Sequence, residues 1–321
     1  MKKLLGFLKD WMLPCAIVLG IGLYMLYHFV PALHPLGPIL HPMASEGQRL
    51  VIAILLFFQF VKISPHDLRL SRWHLGALAI QVLSFLALAG LVAVTQGELR
   101  MLLECAMLCM ICPTASAAGV ITDRLGGNLA GTVTYLVLIN VSGTFLIPIV
   151  IPLVNPSATL GFWAYVGHIA LKVFPVLILP GLLAWLVRYT THGLQRRLMR
   201  WASNSFYVWG VGLTLAMVLS TRALLLSGLG LWAVAGIVLV SVCCCFVQFF
   251  SGRRMGKDSV DNLTAGQALG QKNTGFLIWL GYNYLTPVTS VAGGLYAIWQ
   301  NLFNSWELYQ KARADAPRKA A

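Results

Sequence analysis

Apolar runs of about 20 residues, separated by short charged or Pro/Gly-containing stretches, succeed one another along this chain. A helix of that length matches the hydrocarbon thickness of a bilayer. Cutting the sequence at its prolines, glycines and charges predicts ten transmembrane helices: 12–30, 50–63, 75–95, 101–121, 129–154, 162–187, 206–226, 231–250, 261–281 and 288–308. Only 10% of the 321 residues are charged, against about 25% in soluble domains, which excludes a soluble or disordered chain. Pro31, His34 and Pro35 follow the first run where a cleavable leader would have small residues, so the run reads as a span.

The net charge of +13 is unevenly distributed. Threading ten spans puts 18 of the 23 basic residues, among them Lys2, Lys3, Lys9, Arg69, Arg196 and Arg253, on the side of the N-terminus. Only Arg49, Arg100 and Arg222 fall on the other side, and Lys172 and Lys272 lie within spans. Basic loops stay cytoplasmic, so the split predicts an even number of crossings in the cytoplasmic membrane with both termini inside. On a soluble domain the same charge would suggest nucleic acid; here orientation in lipid accounts for it.

Ten spans divide into five and five near residues 155–161, giving halves 1–157 and 158–321. An odd number per half makes the halves run in opposite directions, the arithmetic of inverted-repeat secondary transporters. The fourth span of each half is then the place to look. Cys112-Pro113-Thr114-Ala115-Ser116-Ala117-Ala118-Gly119 carries a proline among small and hydroxyl residues, and the ninth span, from Asn262 to Gly275, is barely apolar. Both read as broken helices. A break in the bilayer frees N–H and C=O groups that lipid cannot satisfy, so it must face protein or a watery cavity. Half-helix N-termini favour anions and C-termini favour cations. The ninth segment holds Gln267, Gln271, Lys272, Asn273 and Thr274, and intramembrane ionisable groups are functional candidates. Small residues such as Gly119 let a second backbone approach closely. A purely structural Lys272 would snorkel or pair with Asp261, three turns away.

Other chemistry is thinner. Cys105, Cys109 and Cys112 share one helical face, which keeps soft-metal or metalloid handling open beside simple packing. Glu104 reads as an interfacial carboxylate. Hydrolase, phosphate-loop and zinc-protease motifs are missing, so no enzymatic activity, cofactor or metal is expected. A sensor or receptor built on a transporter fold is a further alternative.

At the two broken segments the sequence resembles the bile acid:sodium symporter family, whose superfamily includes arsenite efflux transporters and carriers of small organic acids. Cys112-Pro113 through Val120-Ile121-Thr122 to Gly127-Asn128 looks like the family's first motif, and Gly270-Gln271-Lys272-Asn273-Thr274-Gly275 like its second. The resemblance implies an all-α polytopic membrane protein of ten helices in two inverted five-helix repeats, with the fourth and ninth broken and crossing. It further implies a core of spans three to five and eight to ten, and a panel of spans one, two, six and seven across a substrate cavity. Thr114, Ser116, Gly119, Lys272, Asn273 and Thr274 would then contact substrate, joined from the panel by Lys172 and His168. Family members bind two sodium ions through a Ser-Asn pair, a Glu and a Gln; here those positions hold Ala118, Gly119, Ala268 and Lys272. A one-residue slip puts Gln267 at the Glu position, without its charge. The expectation is therefore a transporter of a small or amphipathic organic anion, coupled to protons or sodium through Gln267, Gln271 and Lys272. Sodium independence, with the Lys272 ammonium in place of a bound cation, is the form the substitutions favour.

Overall fold

In a computed structural model that describes residues 12–202 and 205–319, every regular element is helical. Lys2, Lys3 and Lys9, counted above, lie outside the described residues. The helices are α1 (Met12–Phe29), α2 (Gly37–Val61), α3 (Arg72–Val94), α4 (Gly97–Ile111), α5 (Ala118–Leu125), α6 (Leu129–Val154) and α7 (Phe162–Leu177). They continue as α8 (Leu179–Thr190), α9 (His192–Trp201), α10 (Ser205–Leu226), α11 (Leu231–Gly252), α12 (Ser259–Gly270), α13 (Thr274–Tyr284) and α14 (Ser290–Lys319).

The protein is an all-helical, multi-pass membrane protein, with five helical spans among the described residues long and apolar enough to cross a bilayer singly. These are Pro31–Val61, which includes α2, together with α3, α6, Tyr207–Leu226 of α10, and α11; α7 and α8, bent by 41°, make a sixth as one pair. Its surface is apolar in the manner of a lipid-facing one: Phe145, Leu171, Leu231 and Trp232 are 66 to 87% exposed. The interior is mostly apolar but also encloses large polar side chains, with Gln48, Gln81, Glu104, Gln248, Gln267, Lys272, Gln300 and Glu307 all buried.

Several ends differ from the sequence reading for identifiable reasons. The second span starts at Gly37, not near residue 50, because Glu46, Gln48 and Arg49 are accommodated by packing and ion pairing despite their polarity. The sixth is bent at Ile178, where Pro175 and Pro180 flank the break and proline withholds a backbone donor. Between the sixth and seventh, α9 places Arg196, Arg197 and Arg200 in a short amphipathic helix with no fully buried residue, the form of an interfacial helix. Helix α14 runs well past residue 308, to Lys319.

Two packing groups are visible. Helix α10 lies against α1 and α2, and α2 also packs on α7 and α8. In the other group α4 lies against α3 and α11, α11 against α12 and α14, and α6 against α3, α5 and α12. The groups meet where α7 packs on α6, where α2 and α10 pack on α13, and where α10 packs on α14.

Candidate functional site

The fourth and ninth predicted spans are both broken, and the breaks meet. Pro113 cannot donate an N–H and disfavours helix at the preceding residue, so α4 stops at Ile111 with Cys112 at ψ 128°. Helix α5 then starts at Ala118 with no side-chain cap. On the other strand α12 ends at Gly270, Gln271 is extended, and α13 restarts at Thr274 behind Asn273, whose side chain accepts from the Phe276 N–H at 3.2 Å. The extended pieces pair antiparallel. Thr114 stands opposite Lys272, the Ala115 N–H donates to the Gln271 carbonyl at 3.0 Å, and the Asn273 N–H to the Pro113 carbonyl at 2.8 Å.

Side chains from neighbouring helices complete this accounting. Gln300 of α14 works like a third strand on the free edge of Lys272: its Oε1 accepts from the Lys272 N–H at 2.8 Å and its Nε2 donates to the Lys272 carbonyl at 3.2 Å. The carbonyls at the C-terminal ends of the half-helices are also occupied. Gln248 Nε2 donates to Cys109 O, Gln81 Nε2 to Cys112 O, the Thr114 hydroxyl to Ala268 O at 2.7 Å, and the Tyr296 hydroxyl to Gly270 O at 2.8 Å. Tyr135 in turn donates to Gln81 Oε1, fixing that amide's orientation. Buried backbone that lipid would leave unpaired is thus satisfied by protein.

No family model matches this chain, and no curated protein matches it.

Lys272 is fully buried, and its Nζ has no hydrogen-bond partner among the described residues. The side chain lies within electrostatic reach of Cys109 and Cys112 on the last turn of α4 and of Cys244 and Cys245 on α11. Asp261 does not pair with it. An ammonium at the C-terminal end of α4 complements the negative end of that helix dipole.

The half-helix N-termini face elsewhere. A Cβ added at Gly275 would lie 2.5 Å from Gln48 Nε2, and one at Gly119 would lie 2.7 Å from Leu129 and 4.0 Å from Gln59 Nε2. Helix α2 therefore presents Gln48 and Gln59, three turns apart, to the starts of α13 and α5. Gln48 is 1% exposed with its Oε1 unpartnered, and both polar atoms of Asn140 on α6 are buried and unpartnered. Such groups are uncommon in proteins and mark places where a ligand or water completes the bonding. Ser116 in the α4–α5 break and Asn273 in the α12–α13 break are half-buried, and Thr274 is buried.

Of the residues singled out in the sequence, the crossing pairs Thr114 with Lys272 and draws in Gln271 and Asn273 through backbone bonds, while Ser116, Gly119 and Thr274 follow it on the flanking segments. Gln267 lies one turn before the break, its Oε1 accepting from Gln271 Nε2 and its Nε2 donating to Glu307 Oε2. Arg253 closes that chain through Glu307 Oε1. Lys172 is held differently from a lone intramembrane lysine: its Nζ is 3.8 Å from Glu46, which also pairs with Arg49 at 2.5 Å. His168, one turn earlier on α7, is exposed.

Glu104 is buried within the protein. It accepts from Arg100 Nε at 3.1 Å and from the Thr286 N–H at 3.2 Å, while Arg100 also donates to Val154 O at the end of α6. Cys105, Cys109 and Cys112 do share a face, but among the described residues no group of three or more His, Cys, Asp or Glu side chains is arranged to hold a metal. Glu307, Gln48, Gln81, Gln248 and Gln300 were missed by sequence reasoning, and Arg253 was read only as a basic loop residue. Gln81 and Gln248 are solitary polar residues in apolar runs, a signal that would have found them, whereas Gln48, Gln300, Glu307 and Arg253 each have another polar or charged residue within two positions.

Proposed function

We propose that this protein is a secondary active transporter of a small or amphipathic organic anion across the cytoplasmic membrane. The observation that carries the reading is the crossing of two broken helices with an unpartnered, fully buried lysine at its centre. In this reading α1 to α6 and α7 to α14 form two inverted halves of five spans each, with α4/α5, α7/α8 and α12/α13 each counted as one broken or bent span. Both termini are cytoplasmic, on the side of the basic loops. Helices α1, α2, α7/α8 and α10 act as a panel that rocks against the remaining core, exposing the crossing to each side in turn. The family likeness of the two motifs belongs to the same reading.

An anion's carboxylate is held at the α5 and α13 N-termini, where backbone N–H groups and helix dipoles favour negative charge. Ser116, Asn273, Thr274 and Gln48 supply hydroxyl and amide contacts around it. Coupling does not use sodium. Carbonyls that would surround a cation at the half-helix C-termini are taken by Gln81, Gln248, Thr114 and Tyr296, and Lys272 in its protonated form supplies the positive charge. Lys272 thus compensates the substrate's charge from the α4–α11 side of the crossing, and Gln267 and Gln271 belong to the Glu307–Arg253 chain behind it. Anion uptake into proteoliposomes, measured at fixed pH with sodium replaced by choline, is expected to be unchanged. Loss of uptake on sodium removal would overturn the sodium-independent mechanism.

A further inference from the structure

Away from the crossing, the end of α10 carries a charge that nothing above uses. Arg222 is half-buried; its Nη1 donates to the Tyr282 hydroxyl of α13, and its guanidinium lies 5.8 Å from the centre of the Tyr282 ring. Among the described residues its buried Nε has no partner and no carboxylate is within ion-pair distance. Tyr24 of α1 and His41 of α2 lie within its electrostatic reach, and Glu98 and Arg100 are the titratable residues that share its cavity. A guanidinium is charged at every physiological pH, so burying it without an acid is costly unless an anion completes the site.

Arg222 lines a cavity of about 500 Å³ between α10, the start of α4 and the α13–α14 connection. Most of its wall is apolar, from Met101, Ala223, Leu226, Leu229 and Val288. Arg100 is the second basic lining residue, but its Nε is committed to Glu104 and its Nη2 to Val154 O. Glu98 stands exposed on the same wall and disfavours a multiply charged ligand. That combination fits one negative charge on a hydrocarbon body. Tyr282 lies eight residues beyond Thr274, about 12 Å along α13, so this place is distinct from the crossing.

We propose that Arg222 anchors a second anion-binding site, which takes a monoanionic head group attached to a short hydrocarbon. The site stands whether or not the crossing carries substrate. The full chain in phosphatidylcholine nanodiscs, titrated calorimetrically with hexanoate and with the neutral isostere hexanamide, tests it. Hexanoate is expected to bind and hexanamide not to. Arg222→Gln is expected to weaken hexanoate binding at least tenfold or remove one site from the stoichiometry. Ala223→Phe, which adds bulk to the cavity wall and keeps Arg222 itself, should do the same, so the test does not hang on one variant. A soluble acid and an anionic lipid share this chemistry, and repeating the titration with phosphatidylglycerol in the nanodisc separates them. Competition names the lipid head group as occupant, lack of competition names the soluble acid, and both support the site. Equal binding of hexanamide, hexanoate binding unchanged in both variants, or no hexanoate binding with or without phosphatidylglycerol would each overturn it. Failure of Lys272 variants to affect transport bears on the crossing alone.

Discussion

Lys272 and Gln300 are joined by two hydrogen bonds, with the Gln300 amide donating to and accepting from the backbone of Lys272 alone. One side chain on α14 therefore holds open the break on which the crossing depends. Thr114 faces Lys272 from the other edge, so this residue is fixed on both sides while its ammonium remains unpartnered.

Gln300→Leu keeps the volume but strips both bonds, leaving a buried N–H and C=O unpaired. The expected loss is about 2 to 3 kcal/mol, read as a lowered thermal unfolding midpoint in detergent. Stability equal to wild type would show that the amide is not holding the break.

Glu307 is buried and its partner Arg253 is one-third exposed. Glu307→Gln removes the charge that balances Arg253, with an expected cost of about 2 kcal/mol, below that of a fully buried pair because solvent reaches the arginine. The double change Arg253→Met with Glu307→Gln is expected to recover part of that loss in the same unfolding measurement, since no charge is then left unbalanced.

Thr114→Val preserves shape while removing the hydroxyl bond to Ala268 O. About 1 kcal/mol of stability should go with it, and the crossing loses one of its four carbonyl partners. If a freed carbonyl can recruit a cation, sodium should stabilise this variant in a melting experiment while leaving wild type unmoved.

For Lys272→Ala, the expected outcome is impaired anion uptake into proteoliposomes by a protein that still inserts and elutes as a folded species. Wild-type uptake kinetics in this variant would remove the charge-compensation mechanism. Stability is expected to hold or rise, because an unpartnered buried ammonium is a cost to folding.

The ten-span threading has its own test. A single cysteine replacing Arg196 on α9 and another replacing Ser157 in the α6–α7 connection, each in a background where exposed Cys243 is changed to serine, are expected to react with a membrane-impermeant maleimide from opposite sides. Labelling from the same side would break the alternation.

How much could be read in advance depended on which force fixed each feature. Hydropathy placed α6 at 129–154 as observed and α1, α3 and α11 within a few residues, because burial in lipid is a property of the run itself. Pro113 marked the first break for a local reason. The second break, with no proline, was legible only as a run of polar residues, and its position at Gln271 to Asn273 was not. Gln300 lies 28 residues beyond Lys272, and Glu307 lies 40 beyond Gln267; no local pattern links such pairs. The sequence by itself determined that this chain lives in a membrane, where its charges concentrate and which two segments resist being helices. Only the tertiary structure decided that those segments pair with each other, that neighbouring amides and hydroxyls occupy the carbonyls they free, and that the Lys272 ammonium is left without a partner among the described residues. Partition into lipid is a sum over local residues, whereas hydrogen-bond satisfaction in a water-free interior depends on which distant helices come to lie side by side.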